Sequence, residues 1–201
     1  MLSSQADWEA HEARILQALA SSPRFRRYYK CHCFSETLSF APFLASEPQL
    51  VGVPSLIECL LPAPVFLSGI SHVTHAVASQ LNLGRIVNVT PQAPRCPDLT
   101  TSFPIEDSDD VEIAPVLEKT RPIIASCVRD NVPVLLHCHQ GVSRSASVVI
   151  DYVASAKQVS ADSGMNVVGC SRSIVRPNCQ NNAAFMAQLQ RLHAAITCMG
   201  N

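Results

Sequence analysis

From Val65 onward, short and nearly uninterrupted apolar runs alternate with amphipathic stretches. Val65-Phe66-Leu67-Ser68-Gly69 reads as a strand and turn, and Arg85-Ile86-Val87-Asn88-Val89 and Pro133-Val134-Leu135-Leu136-His137 read as strands buried on both faces. Between the first two, Ser71 is placed to cap a helix reaching to about Leu81, with Gly84 to end it. Val111 to Arg129 has a helical pattern with Pro115 early, and Pro122 is expected to kink it. From Ser145 to Lys157, Ala146, Val149, Ile150, Val153 and Ala154 share one helical stripe. Strand, loop and helix in succession predict an α/β fold: a central, mostly parallel sheet flanked by helices.

Before Val65 the pattern differs. Gln5 to Ser21 places Trp8, Ile15, Leu16 and Leu19 on one helical face, and five of the fourteen prolines lie between Pro42 and Pro64, the mark of an extended connector. The expected organisation is an N-terminal extension over residues 1–60, a helix plus a Pro-rich connector, ahead of a domain over 61–201.

Composition narrows the picture further. With 47% hydrophobic and only 15% charged residues, the chain has material for a core. Its net charge of −1 gives no global pull toward nucleic acid or anionic membrane, so any anion selectivity must be local. The 26 residues from Cys59 to Gly84 carry no Asp, Glu, Lys or Arg. Pro62, Pro64, Gly69 and eight polar side chains nevertheless divide them into a strand, a turn and a helix, not a membrane span. Met1-Leu2-Ser3-Ser4 has no basic segment before an apolar run, and Leu2 stands where myristoylation needs Gly. A soluble protein of the cytoplasm or nucleus is expected, with neither nucleic acid nor membrane as partner; the oligomeric state is left open. Nine scattered cysteines, an odd number, point to reduced thiols. Four cations among Arg24–Lys30 read as a solvated turn, and Cys31-His32-Cys33 lacks the second ligand pair a tetrahedral zinc needs, so no metal is expected.

The chemistry concentrates in His137-Cys138-His139-Gln140-Gly141-Val142-Ser143-Arg144-Ser145, between a strand and a helix. The turn from Cys138 to Arg144 is short enough for successive backbone N–H groups to converge, and the helix adds its unpaired N-terminal donors and positive dipole end. A thiol at the floor of this anion cradle has its pKa lowered toward the thiolate, which makes Cys138 a nucleophile. Arg144 offers a planar fork for two oxygens of a tetrahedral oxyanion, and Gly141 lets the backbone approach the ligand. An inert cysteine after a strand would explain Cys138 but not the Gly, the Arg and the hydroxyls at these offsets.

The loop resembles the His-Cys-x-x-Gly-x-Ser-Arg-Ser signature of the dual-specificity phosphatases, within the cysteine-dependent protein tyrosine phosphatase superfamily, at every fixed position. The likeness covers roughly residues 63 to 195: Val65–Gly69 and Ile86–Thr90 resemble the family's first two strands, and Arg176-Pro177-Asn178 followed by Phe185–Leu189 resembles its closing helix. Phe103-Pro104-Ile105-Glu106-Asp107-Ser108 resembles its acid loop, which implies Asp107 as the general acid, with Glu106, Asp109 and Asp110 as close competitors.

The resemblance implies phosphotyrosine and phosphoserine/phosphothreonine hydrolysis in phosphoproteins through a cysteinyl-phosphate intermediate, with no cofactor. It implies that His139, Gln140, Gly141, Val142, Ser143 and Arg144 bind the phosphate. It further implies that His137 supports the loop backbone and tunes the thiolate, and that Ser145, or in its place Ser143, donates to the departing sulfur. Asn88 is a candidate brace for the loop. A pseudophosphatase that binds phosphoproteins without turnover is the alternative; a phosphoinositide substrate would favour lysines in the loop, and an RNA substrate more basic surface. Whether another cysteine traps oxidised Cys138 depends on distances.

Overall fold

The computed structural model describes residues 55–56, 64–171 and 182–194, all within the unit Pro54–Asn201. The helix expected over Gln5–Ser21, the basic cluster, Cys31–Cys33 and most of the Pro-rich connector lie outside the described residues.

Among the described residues, five strands, β1 (Ser55–Leu56), β2 (Val65–Gly69), β3 (Arg85–Asn88), β4 (Thr100–Ser102) and β5 (Val134–Cys138), form one sheet in the order β1-β2-β5-β3-β4. β2, β5, β3 and β4 run parallel, and only the two-residue β1 pairs antiparallel, against Phe66 and Leu67. The helices are α1 (His75–Gln80), α2 (Ala114–Arg129), α3 (Arg144–Lys157), α4 (Ala161–Ser171) and α5 (Ala183–Leu192). None of the described helices is long and apolar enough to cross a membrane.

The three apolar runs are the three central strands, buried as parallel strands must be. Alternation along them sends Val65, Leu67, Val87, Leu136 and Cys138 into the main core, where Val149 and Val153 of α3, Leu117 and Ile124 of α2, Val168 of α4 and Phe185 and Leu189 of α5 meet them. Phe66, Ile86 and Leu135 point to the opposite face and are equally buried, so both faces are covered. Each such aliphatic side chain contributes about 1.5–3 kcal/mol by leaving water. The stripe read on α3 understates its burial: every residue from Arg144 to Ala154 is buried, because α2, α4 and α5 all pack on it.

Two local expectations, on the helix from Ser71 and on Asn88, are corrected. The helix expected from Ser71 is a short 3-10 turn, Ile70–His72, followed by α1, and its cap is Thr74, whose hydroxyl accepts from Val77 N–H at 3.1 Å. His72 is buried and His75 exposed. α2 continues past Pro122, which is exposed and withdraws one N–H from the helix. Asn88 does not brace the signature loop. Its Oδ1 accepts from Thr90 N–H and hydroxyl and its Nδ2 donates to Gln92 O and Ser102 Oγ, which holds the connection from β3 to β4.

Candidate active site

The C-terminal end of β5 delivers Cys138 to the edge of the sheet, and the chain turns through residues 139–143 into α3. The turn depends on Gly141: its φ is +72°, and a Cβ there would lie 2.4 Å from the backbone carbon of Ser68. Ile70 N–H donates to His139 O at 3.1 Å, tying the loop to the end of β2.

Cys138 is 2% exposed, with its sulfur inside this turn. Burial by itself pushes the thiol pKa up, but the hydroxyl and N–H of Ser145 and the N–H groups of Gly141 and Val142 outweigh it, and the net direction is down. Gly141 N–H lies 3.1 Å from the sulfur. The Ser145 hydroxyl is fully buried, and its effect on the Cys138 sulfur is the first of those that lower the thiol pKa. Ser143 faces elsewhere: its hydroxyl donates to Asp107 Oδ1 at 2.7 Å.

His137 is set on the other face of the sheet from Cys138, in register with Ser68 of β2 and Asn88 of β3, a polar row buried across the three central strands. Its Nδ1 lies 3.4 Å from the Cys138 carbonyl. Burial pushes its pKa down to about 4, outweighing the upward pull of that carbonyl, and the positive charge of Arg95 adds a lesser push down, so it is neutral. It therefore meets the sulfur through the backbone and not through its ring. His139 and Gln140 are exposed on the rim of the loop.

Arg144 is 8% exposed. One Nη donates to Ile105 O at 3.1 Å, and Nε sits 3.4 Å from Asp107 Oδ2, close enough for an ion pair but off the line of a hydrogen bond. Of the four carboxylates considered for the acid, Asp107 is the one in contact with the signature loop. Glu106 and Asp109 are exposed, and Asp110 accepts from Ser108. The geometry brings Cys138, Arg144, Ser145, Ser143 and Asp107 together, and leaves the ring of His137 outside.

Two contributors were missed at the level of sequence. Asn182 caps α5, accepting from Ala184 and Phe185 N–H, and its Nδ2 lies 3.5 Å from Asp107 Oδ1. Gln188, two turns on, receives Ile113 N–H at 2.9 Å and donates to Val111 O at 2.8 Å, pinning the far end of the acid loop. The signal for Asn182 is its place immediately before the apolar helical run, a preferred cap position, which Asn178 four residues earlier obscures. Among the described residues no cluster of His, Cys, Asp or Glu could hold a metal.

The family model "Dual specificity phosphatase, catalytic domain" matches residues 65–194. The "Putative tyrosine phosphatase 123R" of Invertebrate iridescent virus 6 is 33% identical over 111 residues, 55% of this chain and 75% of that protein. Dual specificity protein phosphatase 2 of Mus musculus is 32% identical over 97 residues, 48% of this chain but only 29% of the mouse protein's length. Among solved structures, a single-residue variant of human DUSP28 superposes with a TM-score of 0.62 at 22% identity, covering 73% of this chain and 98% of that one, a likeness of fold.

Proposed function

Since the chain belongs to the dual-specificity phosphatase family and is a phosphoprotein phosphatase, we propose that it hydrolyses both phosphotyrosine and phosphoserine/phosphothreonine through a cysteinyl-phosphate on Cys138. The observation that carries this reading is the buried Cys138 thiol, held toward its anion by converging donors of Ser145, Gly141 and Val142 in the turn that Arg144 closes. The thiolate attacks phosphorus, Arg144 and the loop N–H groups take the charge of the equatorial oxygens, and Asp107 gives its proton to the leaving oxygen. Water then attacks the phosphocysteine, returning a proton to Asp107, while the Ser145 hydroxyl supports the departing sulfur. These groups supply nucleophile, electrostatic clamp and acid, so the reaction as read needs no cofactor. A thiolate nucleophile works only where it stays reduced, which supports a cytoplasmic or nuclear location, and the near-neutral chain supports a protein substrate over nucleic acid or membrane.

Hydrolysis of a small aryl phosphate, with and without vanadate, tests the reading. Turnover that vanadate inhibits, lost in Cys138→Ser while the variant still binds the oxyanion, is expected. Tight vanadate binding by the wild type without turnover identifies a phosphoprotein-binding module. Phosphotyrosine and phosphothreonine peptides compared side by side then decide the breadth of the substrate class.

A further inference from the structure

We propose that Ser143 is a positioning residue for the proton-transfer step: its hydroxyl fixes the Asp107 carboxyl in the orientation from which the leaving oxygen is protonated. This rests on Asp107 being the acid. Ser143 Oγ is 2.7 Å from Asp107 Oδ1, and Asn182 N–H donates to the same Oγ at 3.4 Å. With Asn182 engaging its lone pair, the hydroxyl proton is directed at the carboxyl. The main chain of Ser143 is pinned in turn, because its carbonyl accepts from Ser147 N–H at 2.8 Å and Ser147 Oγ at 3.0 Å.

The clamp acts on one carboxyl oxygen. Ser143 Oγ donates to Oδ1 and Asn182 Nδ2 approaches the same atom, so the proton that an acid must carry resides on Oδ2. Oδ2 is also the oxygen 3.4 Å from Arg144 Nε, nearest the guanidinium that receives the phosphoryl group. As the bond from Cys138 Sγ to phosphorus forms and the ester P–O bond breaks, the Oδ2 proton passes to the leaving oxygen, and the carboxylate keeps its Oδ1 bond. When water attacks, its proton returns to Oδ2, the Sγ–P bond breaks and the thiolate is restored. Residues 103–113 carry no helix or strand, and the Asp107 side chain is 36% exposed, so without the clamp the carboxyl samples positions off this line.

The test is kcat/KM for aryl phosphates of graded leaving-group basicity in the wild type, Ser143→Ala, Ser143→Thr, Asp107→Asn and the Ser143→Ala/Asp107→Asn pair. Ser143→Ala is expected to slow phenyl phosphate by about tenfold, the scale of one hydrogen bond, and a nitrophenyl phosphate much less. Ser143→Thr, which keeps the hydroxyl, recovers the rate, and in the Asp107→Asn background Ser143→Ala adds no further leaving-group dependence. The ultraviolet titration of the Cys138 thiolate stays in place, as it would not if the cradle had collapsed. Equal slowing of all substrates by Ser143→Ala, or losses that multiply in the double variant, overturns the assignment of Ser143 while leaving Asp107 as the acid. An Asp107→Asn enzyme with the wild-type leaving-group dependence overturns the Asp107 reading itself, and the inference with it. Should Ser143→Ala fail to fold, Ser143→Cys, close in size and a weak donor, carries the same test with the same expectation.

Discussion

At the scale of single residues the site is a contest between burial and hydrogen bonds. Cys138 lies where burial favours the neutral thiol, and the donors of Ser145, Gly141 and Val142 reverse it. Ser145→Ala removes the strongest of them, so the thiol pKa rises, and the acidic limb of kcat/KM and the thiolate absorbance should both move to higher pH. A titration that does not move would show that backbone N–H groups hold the anion unaided. His137 presents the opposite outcome, since burial wins and its pKa falls to about 4. The unfolded chain, with an ordinary histidine near 6.5, binds the proton between these values and the folded protein does not. Stability from this residue is therefore complete above about pH 6.5 and is lost as pH falls toward about 4, by about 3 kcal/mol in all. Urea unfolding near pH 7 and near pH 5 should differ by about 2 kcal/mol less in His137→Asn than in the wild type. The signature loop made Cys138, Gly141 and Arg144 legible from residue order. It put Ser145 ahead of Ser143 at the sulfur only through the family likeness and said nothing of the Ser143 bond to Asp107, because which way a side chain leaves a tight turn depends on backbone angles that the sequence does not print.

At the scale of elements, what was legible followed from the strength of the local signal. The three central strands are apolar runs because they are buried on both faces, and they emerged within a residue of their observed ends. β4, Thr100-Thr101-Ser102, is an edge strand of three small polar residues with no apolar run to reveal it. α4 went unread: Gly164 and Gly169 weaken its propensity, yet Gly164 is what lets it lie close to α3, for a Cβ there would meet Ile150 O at 2.9 Å. Pro122 stands inside α2 without ending it. Its position on the exposed face of α2 costs one hydrogen bond but no core contact, so packing of Leu117, Ile124 and Cys127 keeps the helix continuous. Pro122→Ala should restore that bond, worth about 3 kcal/mol on the helix scale, and release about 1 kcal/mol of unfolded-chain entropy. A net gain of about 2 kcal/mol in denaturant unfolding is expected, and no gain would mean that α2 bends at this point.

At the scale of the whole molecule, the three helices behind the site are joined through one buried carboxylate that no sequence pattern announced. Asp151, 1% exposed in the middle of α3, receives Arg121 of α2 through Nε at 3.0 Å and Nη2 at 2.9 Å, and His193 Nε2 at the end of α5 stands 2.9 Å from its Oδ1. The same three helices carry the site: Arg144 begins α3, Asn182 caps α5 against Asp107, and Gln188 of α5 holds Val111 and Ile113 just ahead of α2. The stripe reading of α3 missed Asp151 because it falls one residue past Ile150, off the apolar line, where a sequence argument places solvent. Burial of α3 on all sides is a property of the assembled helices. The pair with Arg121 is half in water, but removing the carboxylate also leaves the buried His193 ring nitrogen without its hydrogen-bond partner, so the loss exceeds that of a surface pair. Asp151→Ala should lower stability by about 3 kcal/mol and the melting temperature by roughly 10 °C. Asp130→Ala, which removes the exposed Arg129–Asp130 pair, should leave the melting temperature almost unchanged. If the two variants melt alike, the cluster is no more than a surface pair in effect, and α5 is held by Phe185, Leu189 and the Gln188 bonds without it.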